Sequence, residues 1–274
     1  MGYAAGDKPP RYRAATVGQS SKREGGGMTR RAVVLAVVGL LAVWQAAAML
    51  VGMAILPGPG AVAAVIPREL GRGLAWHLAV SAYRVLAGIA LATVTAAPLG
   101  LVAGQSKRLD GILSPLVYLT YPVPKIVFLP LAMLFLGIGD LPKIFLIWLI
   151  LFFQVLVVVR DASQGVRAET IYSVRSLGAR RRHLLRYVYL PACLPAILTA
   201  LRVSTGTAIA VLFFAESFAT QAGLGYYIIV ETWGRMAYPE MYAGVLAMSA
   251  LGMTLYLALD QAEQRLCAWV HAGR

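Results

Sequence analysis

Residues 173–208 read SVRSLGARRRHLLRYVYLPACLPAILTALRVSTGTA, and the stretch changes character halfway along. Its first half carries Arg175, Arg180, Arg181, Arg182 and Arg186. Its second half belongs to an apolar run over 187–215 in which Arg202 is the one charge. A helix crosses the hydrocarbon core of a bilayer in about 20 residues, so the second half reads as a transmembrane helix and the first as its polar approach. Ile171, Val174 and Leu177, then Leu184, Leu185 and Val188, fall at helical spacing on one side. Gly178 interrupts that spacing, which predicts two short helices meeting at a bend inside a loop over 160–190. Pro191 begins the span and Pro195 lies in its first turns. Two readings of the loop stay open on these residues. One is a solvated arm whose Arg180, Arg181 and Arg182 rest on anionic headgroups; the other is an amphipathic elbow that docks in a groove of a partner protein.

The rest of the chain resembles that second half. Of its 274 residues, 59% are hydrophobic and 14% charged, with a mean hydropathy of +0.71. A soluble domain is about 45–50% apolar and about 25% charged, so a disordered chain, a fibrous repeat and a nucleic-acid-binding globule are excluded. Further apolar runs cover 32–56, 85–106, 111–139, 144–159 and 241–259. The second of these starts near Trp76 and encloses Arg84, and the third encloses Lys125. With 187–215 they make six transmembrane helices in an all-α integral membrane protein. Residues 1–31, rich in Gly, Lys, Arg and Ser, read as a disordered basic tail. The run at 32–56 is too long for a signal peptide and follows that tail, so it reads as a retained first transmembrane helix. The region 76–269 then holds the other five spans and the loop.

Orientation follows from the cations. With the N-terminus inside, eighteen Lys and Arg fall on inner segments, and four (Arg68, Arg72, Lys143, Arg235) fall on outer ones. Positive residues gather on the cytoplasmic side, which places both termini in the cytoplasm. The net charge of +13 is therefore a topology signal, and no nucleic-acid partner is needed to explain it. Cys193 and Cys267 are too few for a disulfide framework.

The loop also carries a specific resemblance. It looks like the EAA loop of permease subunits from bacterial ATP-binding cassette importers, whose pattern runs Glu-Ala-Ala, three residues, Gly, nine residues, Ile, one residue, Leu-Pro. Gly178 fits, Val188 stands for the Ile, and Leu190–Pro191 close the motif. Tyr172, Ser173 and Val174 replace Glu-Ala-Ala, and Glu169 lies one helical turn earlier. The stretches HLAVSAYRVLAGIALATVTAAPLGLVAGQS (77–106), YPVPKIVFLPLAMLFLGIGDLPKIF (121–145) and AESFATQAGLGYYI (215–228) resemble the nitrate/sulfonate/taurine branch of that family. The likeness extends from about Trp76 to Trp269. It implies the type I importer permease fold and alternating-access import of a small solute across the inner membrane. It also implies three kinds of partner: a second permease subunit, most simply a homodimer; cytosolic ATPase subunits holding ATP and Mg; and an external solute-binding protein, beside the membrane lipid. In such a complex Ser173, Val174, Ser176, Leu177, Gly178 and Ala179 would couple to the ATPase, with Val174 and Leu177 buried at the contact. A sulfonate, taurine, nitrate or a similar anion suits the intramembrane cations, although related members handle neutral vitamins and their precursors.

The residues bear on these expectations directly. No Gly-x-x-x-x-Gly-Lys-Ser/Thr loop is present to cradle a nucleotide triphosphate. His77, His183 and His271 are widely separated, no cluster has metal-ligand spacing, and no Gly-x-Ser-x-Gly elbow occurs. No catalytic or metal residue is therefore assigned, and the chain reads as a non-enzyme. The alternative is a secondary transporter or channel without an ATPase. Six spans with buried cations suit it, but no inverted repeat is evident and it has no use for an EAA-like loop. Intramembrane charge is costly and marks pathways or partners. Lys125, past the helix-breaking Pro122 and Pro124, and Arg202 are candidate pathway residues, each with a plainer alternative as a paired structural cation. Arg84 reads as snorkelling or ion-paired. Glu216 precedes Gln221-Ala-Gly-Leu-Gly225, which in the family lies on the external side near the pathway; plain turn chemistry is equally open. Gly100 and Gly104 form a small-xxx-small pair suited to close helix packing. The five tryptophans read as interface or lipid-facing aromatics.

Overall fold

The computed structural model describes residues 30–120 and 122–271. The tail read over 1–31 lies outside them, apart from its last two residues. The chain divides into two units, Met1–Val51 and Gly52–Arg274. The described part of the first is α1 (Arg30–Val51), 22 residues long, or about 33 Å at 1.5 Å per residue. Val34, Leu35, Leu40, Val43 and Leu50 are all exposed. A helix that is apolar all round suits a lipid solvent.

The second unit starts with α2 (Pro59–Glu69), helped by a proline in its first turn. A π turn at Leu70–Leu74 follows, and Gly73 sits in it at φ +137°, a conformation that costs a glycine little. That kink separates α2 from α3 (Ala75–Gln105). The charge-free runs gave no sign of α2, because Arg68, Glu69 and Arg72 interrupt the hydropathy there. Val62 buries it nonetheless, and Arg68 pairs with Glu240 of the last span.

The run at 111–139 is the main correction to the sequence reading. It is not one straight span. Two limbs, α4 (Lys107–Thr120) and residues 125–136, meet at 88°; the second limb is a 3-10 turn, Lys125–Phe128, leading into α5 (Leu129–Leu136). Pro122 and Pro124 lack the N–H that a continuing helix needs and disfavour α conformation in the residues before them. Among the described residues five helical stretches are long and apolar enough to cross a membrane, and this bent pair, counted as one span, makes six. No strand occurs among the described residues.

The remaining α-helices among the described residues are α6 (Asp140–Gln164), α7 (Ala168–Ser176), α8 (Arg181–Leu184), α9 (Leu190–Glu216), α10 (Leu224–Tyr226), α11 (Tyr238–Leu266) and α12 (Ala268–His271). From Arg181 to Glu216 the helix is continuous, so Pro191 does not begin the span. A π turn at Leu185–Tyr189 precedes it, with the Leu190 N–H reaching back to Leu185 O. That widened turn accommodates the proline ring and its missing donor.

The core is a stack of α3, α6, α9 and α11. Along α3 the residues Gly88, Ala92, Ala96, Gly100 and Gly104 recur every four positions and form one stripe. A Cβ on Gly100 would lie 2.9 Å from Leu156 O, and one on Gly104 would lie 2.6 Å from Arg160 O. Both glycines are therefore required by the approach of α6. Lipid is as apolar as a leucine side chain, so helices in a bilayer associate largely through such close packing.

Candidate functional site

The loop over 160–190 is an elbow of α7 and α8. Ile171, Val174 and Ala179 pack against a buried cluster that includes Leu101, Val155, Leu184 and Val188. α7 ends at Ser176, and Gly178 turns at φ +84°. Its N–H bonds Arg175 O at 3.0 Å. Because the helix stops before Leu177, that residue leaves the face of Ile171 and Val174 and is 86% exposed. The structure thus separates Val174 from Leu177, which the periodicity had put together. Ser173 Oγ donates to Glu169 O and Ser176 Oγ to Ser173 O, at 2.8 and 2.9 Å. The Glu169 carboxylate lies 3.5 Å from Arg167 at the surface. Among the exposed large apolar residues of the loop, Tyr172 and Leu177 lie at α7 and its bend and Tyr187 in the π turn before α9.

The sequence-predicted pathway residues do not meet in one place. Arg202 and Glu216 are 14 positions apart on α9, about 21 Å along its axis. Lys125 donates to Thr120 O at 3.0 Å and sits 5.3 Å from the Phe153 ring centroid. It thereby takes up a carbonyl left open where α4 breaks off. Arg202 pairs with Asp260 and Glu263 of α11 and lies over Tyr256; Thr199 Oγ1 donates to Glu263 at 3.0 Å.

Glu216 is fully buried. Its carboxylate accepts bonds from Arg84 Nη1 and Ser81 Oγ, both at 2.7 Å, and from the Gly225 N–H at 3.1 Å. Arg84, 4% exposed, also bonds Ala222 O and Asp140. A Cβ on Gly223, at φ +115°, would fall 2.3 Å from Glu216 Cδ, and one on Gly225 2.7 Å from its Cβ. The two glycines let the chain wrap the carboxylate, which accounts for the Gly-Leu-Gly signal in packing terms. Gly223 N–H donates to His77 Nδ1 at 3.1 Å, so the imidazole proton sits on Nε2, 3.4 Å from Glu231. Nearby, Tyr227 donates to Glu69 at 3.0 Å. Burial first, and then that bond, raise its phenol pKa above the ordinary tyrosine value, so it stays protonated.

One face of α6 borders three cavities. The first, about 500 Å³, is lined by Lys125, Thr120, Phe128, Phe145 and Phe153 among others. The second, about 330 Å³, lies between α6 and α9 and includes Phe153, Gln154, Thr199, Ser204 and Thr207. The third, about 710 Å³, runs past Ser114 and Val157 to Arg160, where Arg160 ties α4 to α6 through Ser114 and Asp110. Gln154 Oε1 is buried with no hydrogen-bond partner, an expensive state in an apolar medium. A search for intramembrane charge passes over Gln154, Thr199, Ser204 and Thr207. Their signal is neutral polar residues on facing sides of two apolar helices. Among the described residues no group of three or more His, Cys, Asp or Glu could hold a metal ion.

Residues 96–267 match the family described as binding-protein-dependent transport system inner membrane component. The chain is 34% identical over 239 residues to the taurine transport system permease protein TauC of Escherichia coli, covering 84% of this chain and 86% of the relative. It is 29% identical over 263 residues to SsuC of Bacillus subtilis, described as an aliphatic sulfonates transport permease protein, covering 95% and 94%. A chain from inward-facing structures of the MetNI methionine ABC transporter superposes with a TM-score of 0.61 at 18% identity, covering 72% of this chain and 98% of that one.

Proposed function

The chain belongs to the binding-protein-dependent transport system inner membrane components, as a permease subunit of an ATP-binding cassette importer, and from that membership we propose what it carries, what it binds and how it is driven. The cargo is a small organosulfonate such as taurine, or an anion of like size such as nitrate. The observation that carries this reading is the named chemistry of two relatives, TauC and SsuC, each matching over more than four-fifths of the chain. Lys125 at the first cavity and the neutral polar side chains around Gln154 are compatible with it.

Two copies of the chain face each other across the open side of α6, and the solute passes between them along the cavities of Lys125 and Gln154. Cytosolic ATPase subunits hold ATP and Mg, and an external binding protein delivers the solute. The elbow end of the bundle faces the cytoplasm, in line with the excess of Lys and Arg there. Leu177 and Tyr172 enter a groove on the ATPase, while Ile171 and Val174 anchor the elbow to the spans. A solvent-facing leucine at a glycine bend, braced from behind, is suited to transmit a rigid-body push. Arg84 and Glu216 fasten the opposite ends of the helices so that they move together.

Reconstitution in liposomes tests the reading. The chain is combined with its partner ATPase and binding protein, and uptake of labelled taurine is followed. Uptake is expected only with internal ATP and the binding protein present. Uptake by the chain alone, driven by an ion gradient, would refute the assignment in favour of a secondary transporter.

A further inference from the structure

A fourth cavity lies behind the elbow, and its chemistry belongs to neither the solute path nor the ATPase contact. It holds about 480 Å³ between the end of α3 and the two elbow helices. Arg175, Arg181 and Arg182 line it together with Gln105 and Ser106. Among the described residues no carboxylate pairs with any of these three arginines. The elbow segment's two acids, Asp161 and Glu169, are taken by Arg160 and Arg167. Three exposed arginines around one hollow give it a positive potential that favours an anion between them. Ser106 Oγ accepts the Leu109 N–H at 3.4 Å, which leaves its hydroxyl proton free to donate.

The depth of the hollow selects among anions. Gln105 is the last residue of a transmembrane helix, and Tyr189 stands one position before α9. Val102 and Leu185 line the cavity's apolar part. It therefore sits where hydrocarbon gives way to headgroups, cationic on one side and apolar on the other. Guanidinium groups match phosphate oxygens in a two-pronged geometry that an ammonium cannot reproduce. Basic pockets between transmembrane helices at that depth suit phosphate headgroups.

We propose that the cavity of Arg175, Arg181, Arg182 and Ser106 is a binding site for a phosphate-bearing anion, occupied in the membrane by the headgroup of an anionic phospholipid. The bound phosphate joins α7 and α8 to α3 and stiffens the elbow from behind, on the far side from Leu177. Transport then depends on the acidic lipid content of the bilayer.

The test uses the purified full chain, delipidated in a neutral detergent. Phosphatidylglycerol, phosphatidylcholine and inorganic phosphate are added separately, and binding is read by native mass spectrometry and by thermal shift. Phosphatidylglycerol is expected to bind and stabilise where phosphatidylcholine does not. Arg175→Gln/Arg181→Gln/Arg182→Gln should weaken it by about tenfold or more, from the loss of charge-assisted hydrogen bonds. The three Arg→Lys changes keep the charge and guard against misfolding; they should still lose part of the affinity, because the forked geometry is gone. Lys107→Gln/Arg108→Gln/Arg265→Gln, outside the cavity, should leave binding unchanged. A shift reproduced by inorganic phosphate, and lost in the same arginine variant, supports the site with free phosphate as its occupant. Equal loss of lipid binding in both triple Gln variants would overturn the proposal in favour of diffuse attraction. Unchanged lipid and phosphate binding in the arginine variant, with failure to assemble with the ATPase, would overturn it in favour of a protein contact.

Discussion

Replacing Glu216 with Leu leaves Arg84 buried without its main counter-charge. Glu216 is fully buried and Arg84 is 4% exposed, so water cannot solvate the orphaned guanidinium. Breaking one partner out of a buried pair costs about 3–5 kcal/mol. Arg84 retains Asp140 at 2.7 Å, but that carboxylate is 48% exposed, which pulls the cost toward the lower end. The lost bonds from Ser81 and Gly225 add about 1 kcal/mol each. A total loss of about 5 kcal/mol follows from these terms. Arg84→Met strands the carboxylate instead and should cost a similar amount. The double variant removes both charges, so its loss should fall short of the sum by at least about 2 kcal/mol. Equilibrium unfolding in mixed micelles, titrated with an anionic detergent, gives all three numbers. Additivity within about 0.5 kcal/mol, or a Glu216→Leu variant as stable as the parent, would refute the buried-pair reasoning.

Other expectations follow from single contacts. Gly104→Leu should abolish folded protein in size-exclusion profiles, because its Cβ would fall 2.6 Å from Arg160 O, whereas Gly111→Ala, with open space around it, should elute like the parent. Leu177→Asp should leave the unfolding midpoint unchanged, since the side chain is already 86% exposed, yet remove solute-stimulated ATP hydrolysis in the assembled complex. Gln154→Leu removes an unpartnered buried oxygen and should raise stability by about 1 kcal/mol while slowing taurine uptake; normal uptake would take Gln154 off the pathway. Lys125→Met should assemble normally and transport poorly, and unaltered transport would reduce Lys125 to a cap on α4.

Much of this protein was legible in one dimension because a bilayer imposes a simple code. Apolar runs of about 20 residues must be helices, and such runs located α1, α3, α6, α9 and α11, once Arg84 and Arg202 were admitted inside two of them, although α11 continues seven residues past its run to Leu266. Gly178 was legible as a bend because glycine is the residue that leaves a helical pattern for a left-handed turn at least cost. The spacing Gly100-x-x-x-Gly104 announced a close helix approach to α3, although not that α6 makes it or that the stripe reaches back to Gly88. Tertiary structure decided the rest. Hydropathy measures residue types and not direction, so the run at 111–139 read as one span with Pro122 and Pro124 as breaks within it, and only the fold decided that its limbs meet at 88°. α2 was invisible because its charges meet partners distant in sequence, Glu240 for Arg68 and Tyr227 for Glu69. The partners of Arg84 and Arg202 come from other helices, and no local pattern encodes which carboxylate a folded chain brings to a buried cation. Val174 and Leu177 share a periodic face in the sequence and part company in space, because the helix that would align them ends at Ser176. Residue order settles what each segment can be in lipid; only the packing of helices against one another settles which side chain meets which.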